Sequence, residues 1–262
     1  RFRYNGKERH NFGGNDYHDY GARMYDPYSG RWLGVDPLAE KYYSMGAYVY
    51  CANNPVRYID PDGRFMTDYY NLMGNLVKHI DDNSNEKKLV LTSAKKMDKV
   101  DEAIASGAVV SVPSNEVVNA MEQAFQKTEV SGNEHGFRVG NNGTVSTTVE
   151  GTSDHISTEA WQPAIDDLRE KGDKVSYDVH THTKGGGDNA QPSETDRANI
   201  VGNQPNVVLG YKVHGGPNHN TIGGVPVINH VRQIGFFNST GLIAPAVDFS
   251  TYKRAVKIIN KK

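Results

Sequence analysis

One segment of this chain constrains its fold more than any other: a strand that ends in His-x-His, followed by a glycine-rich loop and a helix start. Residues 174–182, KVSYDVHTH, alternate in the way that is typical of a β-strand. Successive strand side chains point to opposite faces, so His180 and His182 are expected to project from the same face. The loop TKGGGDNAQP then leads to a predicted helix, which Ser193 caps and which has Asp196 in its first turn. The chain must therefore bring a helix start back over a strand end.

These residues form a candidate metal site. Two imidazoles on one face of a strand can reach the same ion, and an Asp at a nearby helix start supplies a third ligand. Two His, one Asp and one water give the three-ligand geometry with an open position that catalytic zinc sites use. Each part also has an ordinary explanation, since Ser193 and Asp196 match a capping box and His-x-His occurs in strands without a metal. Their conjunction across a glycine loop favours the metal.

Two further residue types bear on this site. Asp178 should share the face of His180, either as a hydrogen-bond partner of a ligand His or as a solvated carboxylate. Cys51 is the only cysteine, so neither an intrachain disulfide nor a cysteine-based zinc cluster can form. Any metal must be held by His and carboxylates.

The order of the motif resembles the JAMM motif of the JAB/MPN metallopeptidase family, which has a Glu, then His-x-His, then Ser-x-x-Asp. The resemblance covers residues 130–240. It implies that His180, His182 and Asp196 bind zinc and that Ser193 helps to hold the oxyanion. It also implies that Glu134 is the general base that activates water.

The assignment of the base depends on local context. Glu134 precedes a Gly and an apolar run, as the family Glu commonly does. Glu150 lacks that glycine, and Glu159 is predicted in the first turn of a helix, where Glu is favoured by the helix dipole. Thr183 stands where the family usually has Pro, and the loop before the Ser is longer and richer in Gly. These departures affect the expected substrate groove more than the metal.

Around the motif the sequence predicts a mixture of helices and strands. Gly107 ends a helix that Ser93 caps, and a second helix begins at Ser114 or Asn115. The Asn-Gly pair at 142–143 predicts a hairpin, and a run of antiparallel strands and a closing helix are expected after the Asp of the motif. A further predicted helix has Ser157 as its cap and Gly172 as its stop.

The first 63 residues have a different composition. They contain ten of the 15 tyrosines, and short aromatic stretches alternate with turn pairs such as Asp-Pro and Asp-Gly. This pattern predicts short strands joined by tight turns. We expect so short a segment to bury its own aromatic rings poorly and to belong to a larger β structure. Cys51 is expected to be a packed thiol in this aromatic region.

The stretches YHDYGARMYDPYSGRWLGVDPLAEKY and YVYCANNPVRYIDPDG resemble the C-terminal end of the RHS repeat-associated core. The resemblance implies strands that close a large β-shell around a variable C-terminal toxin. In some relatives aspartates of the core cut the junction after the Asp-Pro-x-Gly motif. By the same resemblance Arg23, Asp36 and Asp60 are candidates for that reaction, although Arg64 replaces the usual Leu and the turn function of these pairs is an equal alternative.

Charge and hydropathy exclude some classes of function. The net charge is −2 and the mean hydropathy is −0.65. Neither a basic stripe nor an apolar run that could span a bilayer is present, so nucleic acid and a membrane span are not expected. The chain starts with RFRYNGKERH, and we expect it to be cut from a longer protein.

The sequence therefore predicts an α+β / α/β fold in three parts: an all-β end of an RHS core at 1–63, a junction with helices at 64–128, and a JAB/MPN-like mixed sheet flanked by helices at 129–262. The expected function is a zinc-dependent peptidase or isopeptidase that acts as a toxin. The alternatives are an inactive binding module and a different metal-dependent hydrolase. Expected partners are a protein substrate such as a ubiquitin-like conjugate, an immunity protein and the upstream RHS shell. We expect export from a bacterium and action inside a target cell.

Overall fold

The structure, a computed structural model, describes residues 4–35, 46–53, 55, 67–80, 86–185, 188–214, 221–222, 225–226 and 229–261. These residues form a mixed α+β arrangement with several sheets and, within those ranges, five α-helices. The chain divides into two compact units. The first comprises Arg1–Tyr69 and Leu76–Lys88, and the second comprises Tyr70–Asn75 and Leu89–Lys262.

The first unit begins with an antiparallel sheet of four short strands in chain order, as the turn-rich sequence predicts. The strands are β1 (Glu8–Phe12), β2 (Asn15–Asp19), β3 (Met24–Asp26) and β4 (Arg31–Trp32). Three further strands follow along the chain near the boundary of the two units, where the sequence predicted a junction: β5 (Thr67–Tyr70), β6 (Leu76–Ile80) and β7 (Lys87–Val90).

A buried aromatic cluster forms the core of the first unit. Its rings pack edge to face or tilted, and the hydroxyl oxygens of Tyr20 and Tyr50 lie 3.1 Å apart. Each member is at most 6% exposed: Tyr20, Tyr25, Trp32, Tyr50 and Cys51. The expectation that this segment buries its aromatics poorly is wrong for these four rings, because the short strands fold back on one another. Cys51 is packed among them as expected.

The second unit contains the helices and a larger sheet. Its first elements are α1 (Met97–Ala105), β8 (Val109–Ser111), α2 (Asn115–Ser131), β9 (His135–Gly140), β10 (Val149–Glu150), α3 (Gln162–Glu170), β11 (Val175–Thr181) and α4 (Glu194–Ala198). Then come β12 (Asn206–His214), β13 (Thr221–Ile222), β14 (Val225–Pro226), β15 (Asn229–Asn238), β16 (Gly241–Leu242), β17 (Val247–Asp248) and α5 (Phe249–Ile259).

The large sheet has the order β10-β9-β11-β12-β15-β16, and β17 also pairs with β15. Strands β11 and β12 are parallel, whereas the other neighbours are antiparallel. Helices α2 and α5 cover one face: Phe125 of α2 contacts Tyr211 of β12, and Tyr252 of α5 contacts Phe236 of β15. Trp161, just before α3, packs on the opposite face. The metal motif lies on the α3 face.

Of the two helix starts predicted from capping residues, the structure has one at the predicted position and the other further along the chain. Ser114 caps α2 by accepting a hydrogen bond from the Val117 amide, and Gly132 ends the helix with φ of 76°. The predicted cap Ser93 is wrong, because α1 begins four residues later at Met97. The Asn71 side chain donates to the Ala94 carbonyl and holds the preceding segment out of the helix.

Candidate metal centre

The two imidazoles of the motif project from the end of β11 as predicted. His180 lies on the strand and His182 directly follows its last residue, and their ring centroids are 5.2 Å apart. Strand β9 runs antiparallel beside them, with Gly136 opposite His180 and Arg138 opposite Asp178. All these side-chain positions share the α3 face of the sheet because they alternate with residues that face α2.

Asp196 is brought to the imidazoles by a capping box at the start of α4. The Ser193 hydroxyl oxygen accepts from the Asp196 amide at 3.1 Å, and the Ser193 amide donates to Asp196 Oδ2 at 2.7 Å. The same Oδ2 lies 3.4 Å from Nε2 of His180 and 3.4 Å from Nε2 of His182. The ligand atoms of the three side chains all lie within 4.8 Å of one another. This group can therefore hold a metal ion.

The chemistry of this group fits a divalent metal. Nε2 of His180 is buried, and its 3.4 Å contact with Asp196 Oδ2 lacks the geometry of a good hydrogen bond, which is costly for a polar atom without a ligand. Two imidazoles and one carboxylate are also a frequent donor set for zinc. Two of the three side chains, His180 and Asp196, also line a pocket.

The imidazoles and carboxylates of the centre shift one another's pKa values. Burial opposes protonation of His180, but the carboxylates of Asp196, Asp178 and Glu134 outweigh burial and raise the pKa of His180 to about 9. Burial likewise opposes ionisation of Asp196, yet its contacts with the two imidazoles hold its pKa well below the ordinary value. The centre therefore attracts positive charge, whether protons or a metal cation.

The His182 ring is fixed by a backbone carbonyl. Its Nδ1 lies 2.8 Å from the carbonyl oxygen of Asn189, and a carbonyl only accepts, so Nδ1 carries the proton and Nε2 keeps its lone pair for a metal. The loop that contains Asn189 rests directly on the sheet at two glycines. A Cβ at Gly210 or Gly235 would lie within 2.5 Å of a backbone atom of Ala190.

Glu134 lies beside the metal ligands. It immediately precedes β9, is 5% exposed and lines the same pocket as His180 and Asp196. Burial raises the pKa of Glu134, although His182 and His180 act in the opposite direction. A buried carboxylate with a raised pKa suits a general base. The other two carboxylates weighed for this role, Glu150 and Glu159, do not line the pocket.

The pocket at the centre has a volume of about 320 Å³ and mixed walls. Sequence reasoning missed most of them. The apolar side includes Ile156, Trp161 and Phe237, and the polar side includes Arg138 and Asp178. Arg138 was detectable in principle, because it is four residues after Glu134 in an extended segment and so projects from the same face. Trp161 could not be found in this way, since it lies in a separate short 3₁₀ helix, Glu159–Trp161, directly before α3.

The structure also gives the surroundings of three other residues from the sequence analysis. Asp178 is buried and lines the pocket, so the interpretation as a solvated carboxylate is wrong; burial raises its pKa to about 6. Among the described residues its carboxylate makes no hydrogen bond to His180. Ser193 is exposed at the helix start, where its oxygen serves the cap. Thr183 donates to the Ser153 carbonyl and ties the end of the His strand to the loop before α3.

Of the residues suggested for cleavage of the junction, the structure describes Arg23. Arg23 is buried, with its guanidinium 4.4 Å from the centroid of the Trp32 ring. Asp36 and Asp60 lie outside the described residues.

Comparison of the chain with known protein families, curated proteins and solved structures found no significant match. Among the described residues, no helix is both long and apolar enough to cross a bilayer.

Proposed function

We propose that the second unit is a zinc-dependent peptidase or isopeptidase of the JAB/MPN type. The observation that carries the proposal is the convergence of His180, His182 and Asp196 beside the buried Glu134 in one pocket. The order and spacing of these residues resemble the JAMM motif. The pocket also has apolar walls and polar groups, as a site for a peptide chain requires.

Each side chain then has a chemical task. Zinc, when bound, supplies a Lewis acid and makes a water nucleophile available near neutral pH. Glu134 takes the proton from the attacking water and passes it to the leaving amine, for which its raised pKa is suited. The Ser193 oxygen already accepts a hydrogen bond in the cap, so its hydroxyl proton is free to donate to the developing oxyanion.

We further propose that the first 63 residues belong to an RHS-type core and that the peptidase is the toxin delivered with it. The support is the resemblance of the first 63 residues together with their short strands and packed aromatic cluster. On this proposal the protein is exported from a bacterium and acts inside a target cell, and an immunity protein protects the producer. The substrate is a protein, for example a ubiquitin-like conjugate.

The metal is tested by its stoichiometry in purified full-length variants. We expect one zinc per chain in the parent protein and less than a tenth of that in His180→Ala, His182→Ala and Asp196→Ala. His10→Ala is the matched control, because it removes an imidazole from the first unit and should keep the metal. Unchanged zinc in the three ligand variants would exclude this centre.

The reaction is tested with Glu134→Gln, which should keep zinc and lose activity. Proteins from cells that express the parent or the variant are compared for new chain termini and for lost isopeptide conjugates. Cleavage products that depend on Glu134 support a peptidase. If neither protein yields products while both bind zinc, the inactive binding module is favoured. Incubation with DNA and RNA tests the third candidate, another hydrolase.

A further inference from the structure

The pocket beside the metal ligands contains an arginine whose side chain makes no hydrogen bond to any residue that the structure describes. Arg138 lines the pocket with Glu134 and His180. Its Nε is buried and makes no hydrogen bond within the described part of the chain, and no carboxylate there lies within 4.0 Å of its side-chain nitrogens. The backbone of Arg138, in contrast, is fully engaged with Ser146. The donors of the side chain therefore remain available to a ligand.

The guanidinium of Arg138 is packed against an aromatic ring and has no ion-pair partner within 4.0 Å among the described residues. The guanidinium carbon lies 5.0 Å from the centroid of the Trp161 ring, a cation–π arrangement. Burial lowers the pKa of Arg138 and the charge of Asp178 opposes this effect. The side chain as a whole is only partly buried, but its Nε–H is buried and unbonded among the described residues, and an anionic ligand would give it an acceptor.

Another arginine of this sheet, Arg232, provides a comparison, because its guanidinium is paired with a carboxylate. Arg232 donates to both carboxylate oxygens of Glu129, at 3.0 and 2.7 Å. That pair lies on the α2 side of the sheet, away from the pocket. Arg138 has the same donors, but the carboxylate opposite it in the ladder, Asp178, does not lie within ion-pair distance.

We propose that Arg138 binds a carboxylate of the substrate and so selects peptides with an acidic group next to the scissile bond. This inference rests on the proposed peptidase function. Arg138 pairs with Asp178 and His180 pairs with Gly136, so these two pairs on one face of the β9–β11 ladder stand two residues apart along each strand. That offset is about 7 Å, or the length of roughly two extended residues. The carboxylate therefore lies within two residues of the carbonyl that is attacked.

A carboxylate fits Arg138 better than other groups do. The planar fork of a guanidinium matches the two oxygens of a carboxylate, which accept two parallel hydrogen bonds. Ile156 and Phe237 in the same pocket would contact the apolar part of the residue that carries it. The carboxylate is either the C-terminal group of a chain or an acidic side chain, and the probes distinguish the two.

The test measures binding to the zinc-loaded Glu134→Gln protein, which does not consume its ligand. The probes are acetyl-Ala-Ala, its C-terminal amide, and acetyl-Ala-Glu-amide. We expect at least one acid to bind tenfold or more tightly than the plain amide. Preference for the first acid indicates a chain terminus, and preference for the second indicates an acidic side chain.

The role of Arg138 is then isolated by substitution. Arg138→Gln should abolish the preference for the acid while the zinc stoichiometry stays at one, and Arg138→Lys should keep part of it. Arg169→Gln, which removes an exposed arginine of α3, is the matched control. The proposal is overturned if the preference for the acid survives Arg138→Gln, which would happen if the acid bound the metal alone. It is also overturned if the Glu134→Gln protein binds the acids and the amide equally.

A measurement without mutation of the arginine guards against misfolding. The side-chain Nε–H resonance of Arg138 should shift on addition of the acid but not of the amide. An unshifted resonance with bound acid overturns the proposal. If the protein fails to bind zinc and the acid still binds through Arg138, the metal function fails and the carboxylate site stands.

Discussion

A side chain at Gly136 would collide with Trp161, because an ideal Cβ built on Gly136 lies 2.4 Å from Cη2 of the indole ring. Gly136 is also the residue opposite His180 in the β9–β11 ladder. The bare backbone at this position therefore lets the indole lie against the strand pair that carries the metal ligand. Trp161 in turn forms part of the wall of the pocket.

Substitution of Gly136 by Ala should displace Trp161. We expect the free energy of unfolding to fall by about 1–3 kcal/mol, the usual cost of an overpacked site. The chain has two Trp residues, so fluorotryptophan gives two ¹⁹F resonances. The Trp161 resonance should shift in Gly136→Ala and stay in place in Gly34→Ala, where a Cβ meets only one atom at 4.0 Å. An unshifted Trp161 resonance in Gly136→Ala would contradict the packing.

The helix cap at Ser193 should control metal affinity. Ser193→Ala removes the acceptor for the Asp196 amide and frees the first turn of α4, which has only five residues. Loss of a group that orients a metal ligand typically weakens metal binding about 10–100-fold. Ser193→Asn keeps a capping acceptor and should largely restore the affinity. Zinc affinities are measured by competition with a chromophoric chelator.

Ser114 provides the control for this experiment. It caps α2 by the same contact, far along the chain from the metal motif. Ser114→Ala should lower stability by about 1 kcal/mol, as lost caps do, without changing zinc affinity. If Ser114→Ala and Ser193→Ala weaken zinc binding equally, general destabilisation rather than ligand positioning is the cause.

The positions of the metal ligands could be predicted because they follow from short-range rules. Alternation along a strand determines the common face of His180 and His182, and the capping box determines the position of Asp196 in the first turn. The pocket walls could not be predicted in this way. Trp161 and Phe237 reach the site from elements distant in sequence, and only the packing of the sheet brings them together.

The strands near the boundary of the units were missed for a related reason. Hydrophobic periodicity is the main sequence signal for a strand, but this region buries polar residues. Asn71 is fully buried, and its side-chain oxygen accepts from the amides of Met73 and Asn75. Such residues look like a solvated loop in sequence because their hydrogen-bond partners are invisible there.

Asn189 should be required for the orientation of His182. Its side chain donates to the Thr183 carbonyl at 2.6 Å and accepts from the Tyr211 amide at 2.6 Å. These two bonds hold the Asn189 carbonyl against His182 Nδ1, so Asn189→Ala should weaken zinc binding about 10–100-fold. Asn238→Ala also removes two hydrogen bonds from a loop, but at the β15–β16 turn, and should leave zinc binding unchanged.

Acid should loosen α5 through its cap. Asp248 accepts from the Thr251 amide at 3.0 Å; burial opposes its ionisation, but the Ser250 hydroxyl and this amide outweigh burial and lower its pKa. A carboxyl whose pKa is lower in the folded protein stabilises the fold fully above its unfolded pKa of about 3.9, and this contribution is lost as the pH falls through the folded value.

The control for this effect is Asp248→Asn, which keeps a capping oxygen but cannot ionise. Denaturation of both proteins between pH 7 and pH 2 should show a constant stability advantage of the parent above about pH 6, since its carboxylate is charged in both states there. The advantage should shrink at lower pH as the folded carboxyl becomes protonated. Helix α5 buries Phe249, Tyr252 and Ile259, so loss of the cap should increase the exchange of its amides first. An advantage that grows on acidification would give the opposite sign and rule out Asp248 as the titrating cap.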